Sequence, residues 1–220
     1  MNNTLEIQHL NKSFDKRQIL KNINFKCETG DIIGIFGRNG TGKSTLLKII
    51  FGILKADSLK IVLNSSKIEP KNIISMKAIG YLPQETFLPK GLKVRDVIPF
   101  FYQNGDEQDK IFYSNNVVSF ENNKVGNLSM GQLRYLELLI VGNLNHPFLI
   151  LDEPFSMIEP MYKDIIKDLL VKFKETKGII LTDHYYDDVL QVTNRNILIK
   201  DTEQIAINNL EDLQKNGYIK

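Results

Sequence analysis

A short glycine-rich segment constrains the fold of this chain more than any other feature of its sequence. Residues 37–44, GRNGTGKS, fit the pattern G-x-x-x-x-G-K-[ST]. The segment follows Ile32–Phe36, an apolar and largely β-branched run that is typical of a strand buried on both faces of a parallel sheet. It precedes residues 43–54, whose apolar spacing predicts a buried helix. This strand–loop–helix order predicts an α/β fold.

The same segment suits the binding of nucleotide phosphates, which carry dense negative charge. Glycine lets successive backbone N–H groups converge on that charge, and the helix N-terminus adds a partial positive charge. Lys43 is then placed to reach the β- and γ-phosphates, and Ser44 to offer a hydroxyl to Mg²⁺. The alternative is a glycine-rich turn without a ligand, but the flanking strand and helix favour the phosphate loop.

A second apolar run, residues 148–151, ends in two carboxylates, Asp152 and Glu153. In phosphate-loop proteins an Asp at such a strand end holds Mg²⁺, usually through water. Adjacent side chains on a strand point to opposite faces, so the two carboxylates have different tasks unless the strand ends between them. Glu153 is placed to face the water that attacks the γ-phosphate. Without the phosphate loop, an ordinary solvated acidic turn would explain this segment better.

Strands and helices alternate through most of the remaining sequence, as expected for an α/β core. The further predicted elements are strands in residues 5–14 and 19–25, a helix at 129–145, a helix at 162–174, a buried strand at 179–181, a hairpin of strands at 196–200 and 204–207, and a helix at Leu210–Lys215. Between residues 85 and 128, prolines and an Asn-Gly pair break the chain, and residues 94–102 and 108–120 are predicted as short helices or irregular segments.

Composition excludes several classes of protein. The 220 residues are 42% hydrophobic and 25% charged, which is ordinary for a globular domain and excludes intrinsic disorder. The 28 basic and 26 acidic residues form no run of five like charges, which disfavours a dedicated nucleic-acid binder. The single cysteine, Cys27, cannot form an intramolecular disulfide and indicates a reducing compartment. No apolar stretch approaches the roughly 20 residues of a membrane span.

Further motifs, taken in order with these two, resemble the ATP-binding cassette of ABC transporters over nearly the whole chain. YLPQ at 81–84 looks like the family's Q-loop, and LSMGQ at 128–132 resembles its signature motif, usually LSGGQ. TDH at 182–184 looks like the switch-histidine segment. Phe14 falls where the family places an aromatic ring under adenine.

The resemblance implies a phosphate-loop NTPase (RecA-like) core with an antiparallel β subdomain and a small inserted α-helical subdomain. Within a single ABC ATPase domain of residues 1–220, residues 1–84 and 129–220 would form the core and the β subdomain, and residues 85–128 the helical subdomain.

The resemblance also implies an ATPase that uses ATP and Mg²⁺, with a role for each matching residue. Catalysis falls to Glu153, His184 and Gln84, and metal binding to Ser44, Gln84 and Asp152. The residues implied to bind ATP are Phe14, Gly37, Arg38, Asn39, Gly40, Thr41, Gly42, Lys43, Ser44, Thr45, Ser129, Gly131 and Gln132. His184 would contact the γ-phosphate and help to hold Glu153.

Several of these residues also have a simpler explanation. Ser129 and Gln132 fit a capping box that opens a helix, which is compatible with an anion site. Taken alone, His184 is more typical of a structural histidine, Phe14 of a core residue and Gln84 of an ordinary loop. The joint order and spacing of the motifs favours the functional roles.

Two positions depart from the family pattern. Met130 replaces the first glycine of the signature motif, although Gly131 remains. Glu159 closes a segment, 156–159, that resembles the family's D-loop, which normally ends in Asp. Because Glu is one methylene longer, the geometry expected across a dimer interface changes at this position.

The resemblance implies two partners: a transmembrane permease subunit on a separate chain, and a second ATPase subunit. The two cassettes would close head to tail over two ATP molecules, with Ser129 and Gly131 of one completing the phosphate loop of the other. The expected location is cytoplasmic, at the inner face of the cell membrane through the permease, and no nucleic acid is expected.

Two classes of protein remain as alternatives. One is a soluble ABC-type ATPase that acts on nucleic acid or ribosomes, but the chain contains neither a long coiled-coil insertion nor a second cassette. The other is a phosphate-loop kinase or GTPase. A kinase does not explain the Ser129 and His184 segments, and a GTPase requires an Asn-Lys-x-Asp element that the sequence lacks.

Overall fold

The computed structural model describes residues 2–219, which form two β-sheets and eight α-helices. The strands are β1 (Thr4–Phe14), β2 (Arg17–Glu28), β3 (Ile32–Phe36), β4 (Ser58–Leu63), β5 (Ser66–Ile68), β6 (Ile79–Leu82), β7 (Phe148–Asp152), β8 (Gly178–Thr182), β9 (Arg195–Lys200) and β10 (Glu203–Ile207). The helices are α1 (Lys43–Phe51), α2 (Val94–Val97), α3 (Gly105–Phe112), α4 (Val117–Phe120), α5 (Met130–Asn143), α6 (Pro160–Lys174), α7 (Tyr186–Val192) and α8 (Leu210–Lys215).

The larger sheet has six strands in the order β10-β9-β3-β8-β7-β6. All neighbouring pairs are parallel except the β9–β10 hairpin. Parallel strands carry their following loops at one edge, so the loops after β3, β8, β7 and β6 lie side by side. The predicted α/β fold with a parallel sheet is confirmed.

The smaller sheet is antiparallel, in the order β2-β1-β4-β5, and α1 packs in the same apolar core as this sheet. Residues of β3 alternate between two cores: Ile33 and Ile35 join α1 and the small sheet, whereas Ile32 and Phe36 join the core that contains α5 and α6. This alternation explains why both faces of the strand are apolar.

Some predicted boundaries were wrong. The helix predicted to reach residue 54 ends at Phe51, because Gly52 adopts a left-handed conformation (φ 87°) and its N–H bonds to the carbonyl of Ile49. Residues 108–120, predicted as short helices or irregular chain, belong to two helices, α3 and α4, separated by a turn in which Asn116 has φ 69°.

Four elements were absent from the prediction: strands β4, β5 and β6 and helix α7. The short helices α2, α3 and α4 all lie within residues 85–128, and the division into a core and an inserted subdomain stays a prediction. Among residues 2–219, no helix has the length and apolar character needed to cross a membrane.

Candidate functional site

The phosphate loop connects β3 to α1. At its end, Gly42 has φ 102°, and a Cβ atom there would lie only 2.6 Å from a methyl group of Ile19, so the position requires glycine. Lys43 is 6% exposed, and its Nζ donates to the carbonyls of Gly37 at 2.6 Å and Arg38 at 3.3 Å. Burial lowers the pKa of Lys43, while nearby carboxylates, Glu153 first, act in the opposite direction. The ammonium group is thus held inside the loop.

Asp152 lies at the end of β7, next to the start of α1. Its Oδ1 accepts hydrogen bonds from the hydroxyls of Ser44 at 3.2 Å and Thr182 at 2.8 Å. The pairing of Asp152 with Thr182 in the parallel ladder brings these two side chains together. Hydroxyl and carboxylate oxygens are the ligands that Mg²⁺ prefers, so Ser44 and Asp152 fit a magnesium ion.

Glu153 lies just beyond the strand end and has a left-handed backbone, φ 56°. Its carboxylate is held by three side chains. Oε1 lies 2.9 Å from Nε2 of His184, and Oε2 accepts from Nε2 of Gln84 and from Oγ of Ser156, each at 3.0 Å. The structure therefore brings together all three predicted catalytic residues and adds Ser156.

A cleft of about 450 Å³ lies over these groups. Its lining residues are Phe14, Ile19, Asn39, Gly40, Gly42, Lys43, Ser44, Thr45, Gln84, Glu153 and His184. Phe14 is 44% exposed, and Nζ of Lys12 lies 4.7 Å from the centre of its ring. Phe14 is therefore not a core residue, and its ring is available at the cleft.

Within the phosphate loop, three of the predicted ATP-binding residues, Gly37, Arg38 and Thr41, do not line the cleft. The Arg38 guanidinium donates to the carbonyl of Gly217 at 2.7 Å, and Thr41 Oγ1 donates to the carbonyl of Arg38 at 2.8 Å. These side chains stabilise the conformation of the loop and tie it to the segment after α8, a contact that the sequence did not predict.

The signature-like segment lies at the N-terminus of α5. Ser129 Oγ accepts the N–H of Gln132, and Gln132 Oε1 accepts the N–H of Ser129, so the capping box is present. A Cβ atom at Gly131 would overlap the Glu159 carboxylate and the Tyr162 ring. Ser129, Gly131 and Gln132 do not line the cleft of their own chain.

Two buried polar residues near the site have no predicted role. Asp183 accepts the N–H groups of Phe155 at 2.7 Å and Tyr185 at 3.0 Å; burial raises the pKa of Asp183, and these hydrogen bonds oppose the rise. Arg134 donates to backbone carbonyls at the end of β7 and after β6. Hydrogen bonds to backbone groups leave no pattern in a sequence. The available signal for Arg134 is that it is a charged residue among the apolar positions of α5.

Comparisons with known proteins place the chain among ATP-binding proteins of ABC transporters. The sequence profile of the ABC transporter family matches residues 20–156. The chain is 30% identical to a probable ABC transporter ATP-binding protein of Azorhizobium caulinodans, over 86% of this chain and 72% of that protein. It is 26% identical to the lipopolysaccharide export system ATP-binding protein LptB of Haemophilus influenzae, over 98% of this chain and 95% of that protein.

Solved structures with the same fold include two ATP-binding cassettes of ABC transporters. A nucleotide-free cassette has a TM-score of 0.83 at 20% identity, covering 99% of this chain and 96% of that one. A cassette in its ADP conformation has a TM-score of 0.80 at 21% identity, covering 97% and 94%. The profile match shows that this chain belongs to the ABC transporter family, in which it is an ATP-binding cassette ATPase.

Proposed function

We propose that this chain is the subunit that hydrolyses ATP to power a membrane transporter, and that Glu153 polarises the attacking water. The observation that carries the proposal is the Glu153 carboxylate, which three side chains hold in the same cleft as Lys43. Phosphoryl transfer requires mainly positioning and charge neutralisation, and a fixed carboxylate beside a buried cation supplies both.

In this proposal the nucleotide lies along the cleft. The ring of Phe14 stacks on adenine, and the amides of the phosphate loop and Lys43 bind the phosphates. Ser44, Asp152 and the side-chain oxygen of Gln84 would hold Mg²⁺, Asp152 through water. When bound, Mg²⁺ neutralises charge on the β- and γ-phosphate oxygens.

His184 and Gln84 both contact Glu153, and each has a further role in the proposed mechanism. His184 contacts the γ-phosphate and helps to keep the Glu153 carboxylate in place, with its Nε2 2.9 Å from Oε1 of Glu153. Gln84 already contacts Glu153, at 3.0 Å, so a displacement of its loop also alters the surroundings of the catalytic carboxylate. This direct contact supports a link between the loop and the rate of hydrolysis.

The proposed active form is a head-to-tail dimer of cassettes. Ser129 and Gly131 lie outside the cleft of their own chain, and the adjacent Met130 is about half exposed, at 47%. The capped N-terminus of α5 offers N–H groups and a partial positive charge to an anion. We infer that it faces the γ-phosphate held by Lys43 of the second subunit.

The proposed membrane contact is an apolar groove beside Gln84, of about 350 Å³. Phe51, Tyr81, Phe87 and Phe101 are among the residues that line it. An apolar groove of this kind suits an amphipathic helix, and we assign it to a cytoplasmic helix of a permease. LptB is named as the ATP-binding protein of an export system, which supports a membrane partner and a location at the inner face of the cell membrane.

The catalytic assignment is tested with Glu153→Gln, which keeps the shape of the side chain and removes its basic carboxylate. We expect turnover of ATP to fall about 10²-fold or more, with nucleotide affinity close to that of the wild type. Lys43→Ala is the matched variant that should lose affinity as well as turnover. Wild-type turnover in Glu153→Gln, measured on protein free of contaminating ATPase, would refute the catalytic role of Glu153.

The partner is tested by purification of the tagged chain in detergent from the membranes of its host. We expect a multi-spanning membrane protein to co-purify, and Phe87→Glu in the groove to release it. Tyr113→Glu is the control, because Tyr113 is an exposed aromatic residue that does not line the groove. Co-purification of nucleic acid or ribosomes, and of no membrane protein, would contradict the proposal.

A further inference from the structure

One buried side chain connects three elements of the site. Arg134, in the second turn of α5, is 4% exposed. Its guanidinium donates to the carbonyl of Pro83 at 2.6 Å, to the carbonyl of Glu153 at 3.2 Å and to the carbonyl of Asp152. Pro83 directly precedes Gln84. The same group therefore holds the Gln84 loop and the catalytic end of β7.

Glu137, one turn later on the same helix, completes the arrangement. Its Oε2 lies 3.5 Å from NH1 of Arg134, and its Oε1 accepts the N–H of Phe87 at 2.9 Å. Both side chains are buried. The Gln84 loop is thus bonded to α5 on both sides of Gln84: at Pro83 through Arg134, and at Phe87 through Glu137.

We propose that Arg134 is a positioning residue for hydrolysis, which joins the Gln84 loop and the Glu153 backbone into one unit carried by α5. A movement of this loop then displaces the Glu153 carboxylate together with it. This inference rests on the proposed role of Glu153 in catalysis. It extends that role, because it gives the loop a second connection to Glu153 in addition to the direct contact of Gln84.

The chemistry of arginine supports this assignment. A planar guanidinium presents several donors in a fixed fork, so it can hold carbonyls from two segments at set directions. Glu153 also has a left-handed backbone, which L-residues adopt only when their surroundings support it. A displacement of about 1 Å at a reacting group can cost about 10²-fold in rate.

Lys177 provides a matched control. It is another buried cation, 9% exposed, and its Nζ donates to the carbonyls of Leu144 at 2.9 Å and His146 at 2.6 Å. Like Arg134 it holds backbone carbonyls together, but its hydrogen bonds reach neither the Gln84 loop nor the end of β7. Loss of Lys177 therefore reports the general cost of removing a buried cation.

The experiment compares Arg134→Met with Lys177→Met. Both variants should lower the melting temperature. Only Arg134→Met should lower kcat, by about ten-fold or more, with the affinity for ATP within about two-fold of the wild type. Wild-type kcat in folded Arg134→Met, or an equal loss of kcat in Lys177→Met, would overturn the inference.

A double-mutant cycle with Gln84→Ala tests the connection itself. If Arg134 and Gln84 position Glu153 as one unit, the loss of kcat in the double variant should differ clearly from the product of the two single losses. If the two effects on kcat simply multiply, Arg134 and Gln84 act independently and the proposed unit is wrong.

A second variant covers the case in which Arg134→Met does not fold, since it leaves Glu137 buried without its cation. Arg134→Leu combined with Glu137→Gln removes both charges and keeps an acceptor for the Phe87 N–H. Reduced kcat in this folded variant supports the inference, and wild-type kcat overturns it. Glu153→Gln separates the catalytic role of Glu153 from the positioning role of Arg134. Full activity of Glu153→Gln would refute the catalytic role. An inactive Glu153→Gln together with a fully active Arg134 variant would refute only the positioning role.

Discussion

At the scale of single residues, Asp152 and Glu153 are neighbours in the chain whose carboxylates bind different groups. Asp152 accepts from Ser44 and Thr182, whereas Glu153 contacts Gln84, Ser156 and His184. The cause is the end of β7 at Asp152, followed by the left-handed backbone of Glu153. A left-handed L-residue costs roughly 1–2 kcal/mol, which the hydrogen bond from the Glu153 N–H to the Thr182 carbonyl helps to offset.

Phe14 provides a prediction at this scale. Because its ring is exposed in the cleft, Phe14→Ala should raise the KM for ATP about five-fold, as expected for the loss of about 1 kcal/mol of stacking. Its effect on stability should be small. The contrasting variant is Phe25→Ala. Phe25 is a buried residue of β2, so this change should clearly lower the melting temperature. An unchanged KM in Phe14→Ala would show that the ring does not touch the nucleotide.

The sequence predicted the site residues whose chemistry is local and failed for those that bond to distant backbone. Lys43 and Ser44 follow from a short pattern of charge and backbone freedom. Arg134 bonds to carbonyls 51 and 18 residues away, at Pro83 and Asp152, and Asp183 bonds to an N–H 28 residues away, at Phe155. Every residue type offers a backbone carbonyl, and every type except proline a backbone N–H, so no spacing of side chains indicates these bonds.

At the scale of secondary-structure elements, the N-terminus of α5 combines a structural and a proposed functional task. Ser129→Asp separates them, because Asp caps a helix as well as Ser does but places a negative charge toward the γ-phosphate. We expect Ser129→Asp to keep wild-type stability and to lose ATP-dependent association. Ser129→Ala should instead lower the free energy of unfolding by about 1 kcal/mol. Normal association in Ser129→Asp would leave Ser129 with the capping role alone.

The packing of α5 against α6 gives a second prediction for this scale. A Cβ atom at Gly142 would overlap the ring of Phe173, so Gly142→Ala should lower the free energy of unfolding by about 1–3 kcal/mol. Gly105→Ala is the control, because a Cβ atom there meets nothing within 4 Å. That change at the start of α3 should be neutral or slightly stabilising. Equal losses in urea unfolding would contradict the packing argument.

Elements with a strong local pattern were predicted, and those that depend on their neighbours were not. The buried strands β3, β7 and β8 read as continuous apolar runs. Strand β4 ends in a short apolar run at residues 61–63, but only Ile61 of that run is buried, and the strand is defined by its pairing with β1 and β5. Helix α7 spans seven residues in which no helical pattern was recognised, although the six-residue helix α8 was predicted.

At the scale of the whole molecule, the parallel sheet assembles the site. Four segments that are far apart in the chain meet because β3, β8, β7 and β6 are adjacent and parallel. The alternation of strands and helices predicts this convergence, since parallel strands carry their following loops at one edge. It does not predict the strand order, nor the contact of Gly217 with Arg38 of the phosphate loop.

The central claim is that the N-terminus of α5 from one subunit completes the ATP site of another, and that Glu153 of that site takes part in hydrolysis. Size exclusion with light scattering of Glu153→Gln, with and without Mg-ATP, tests it most directly. Because uncleaved ATP would hold the two cassettes together, we expect a change from monomer to dimer that depends on ATP. Glu153→Gln combined with Ser129→Arg should remain a monomer, since the arginine blocks the interface. A Glu153→Gln protein that binds Mg-ATP at saturation and stays monomeric would contradict the account.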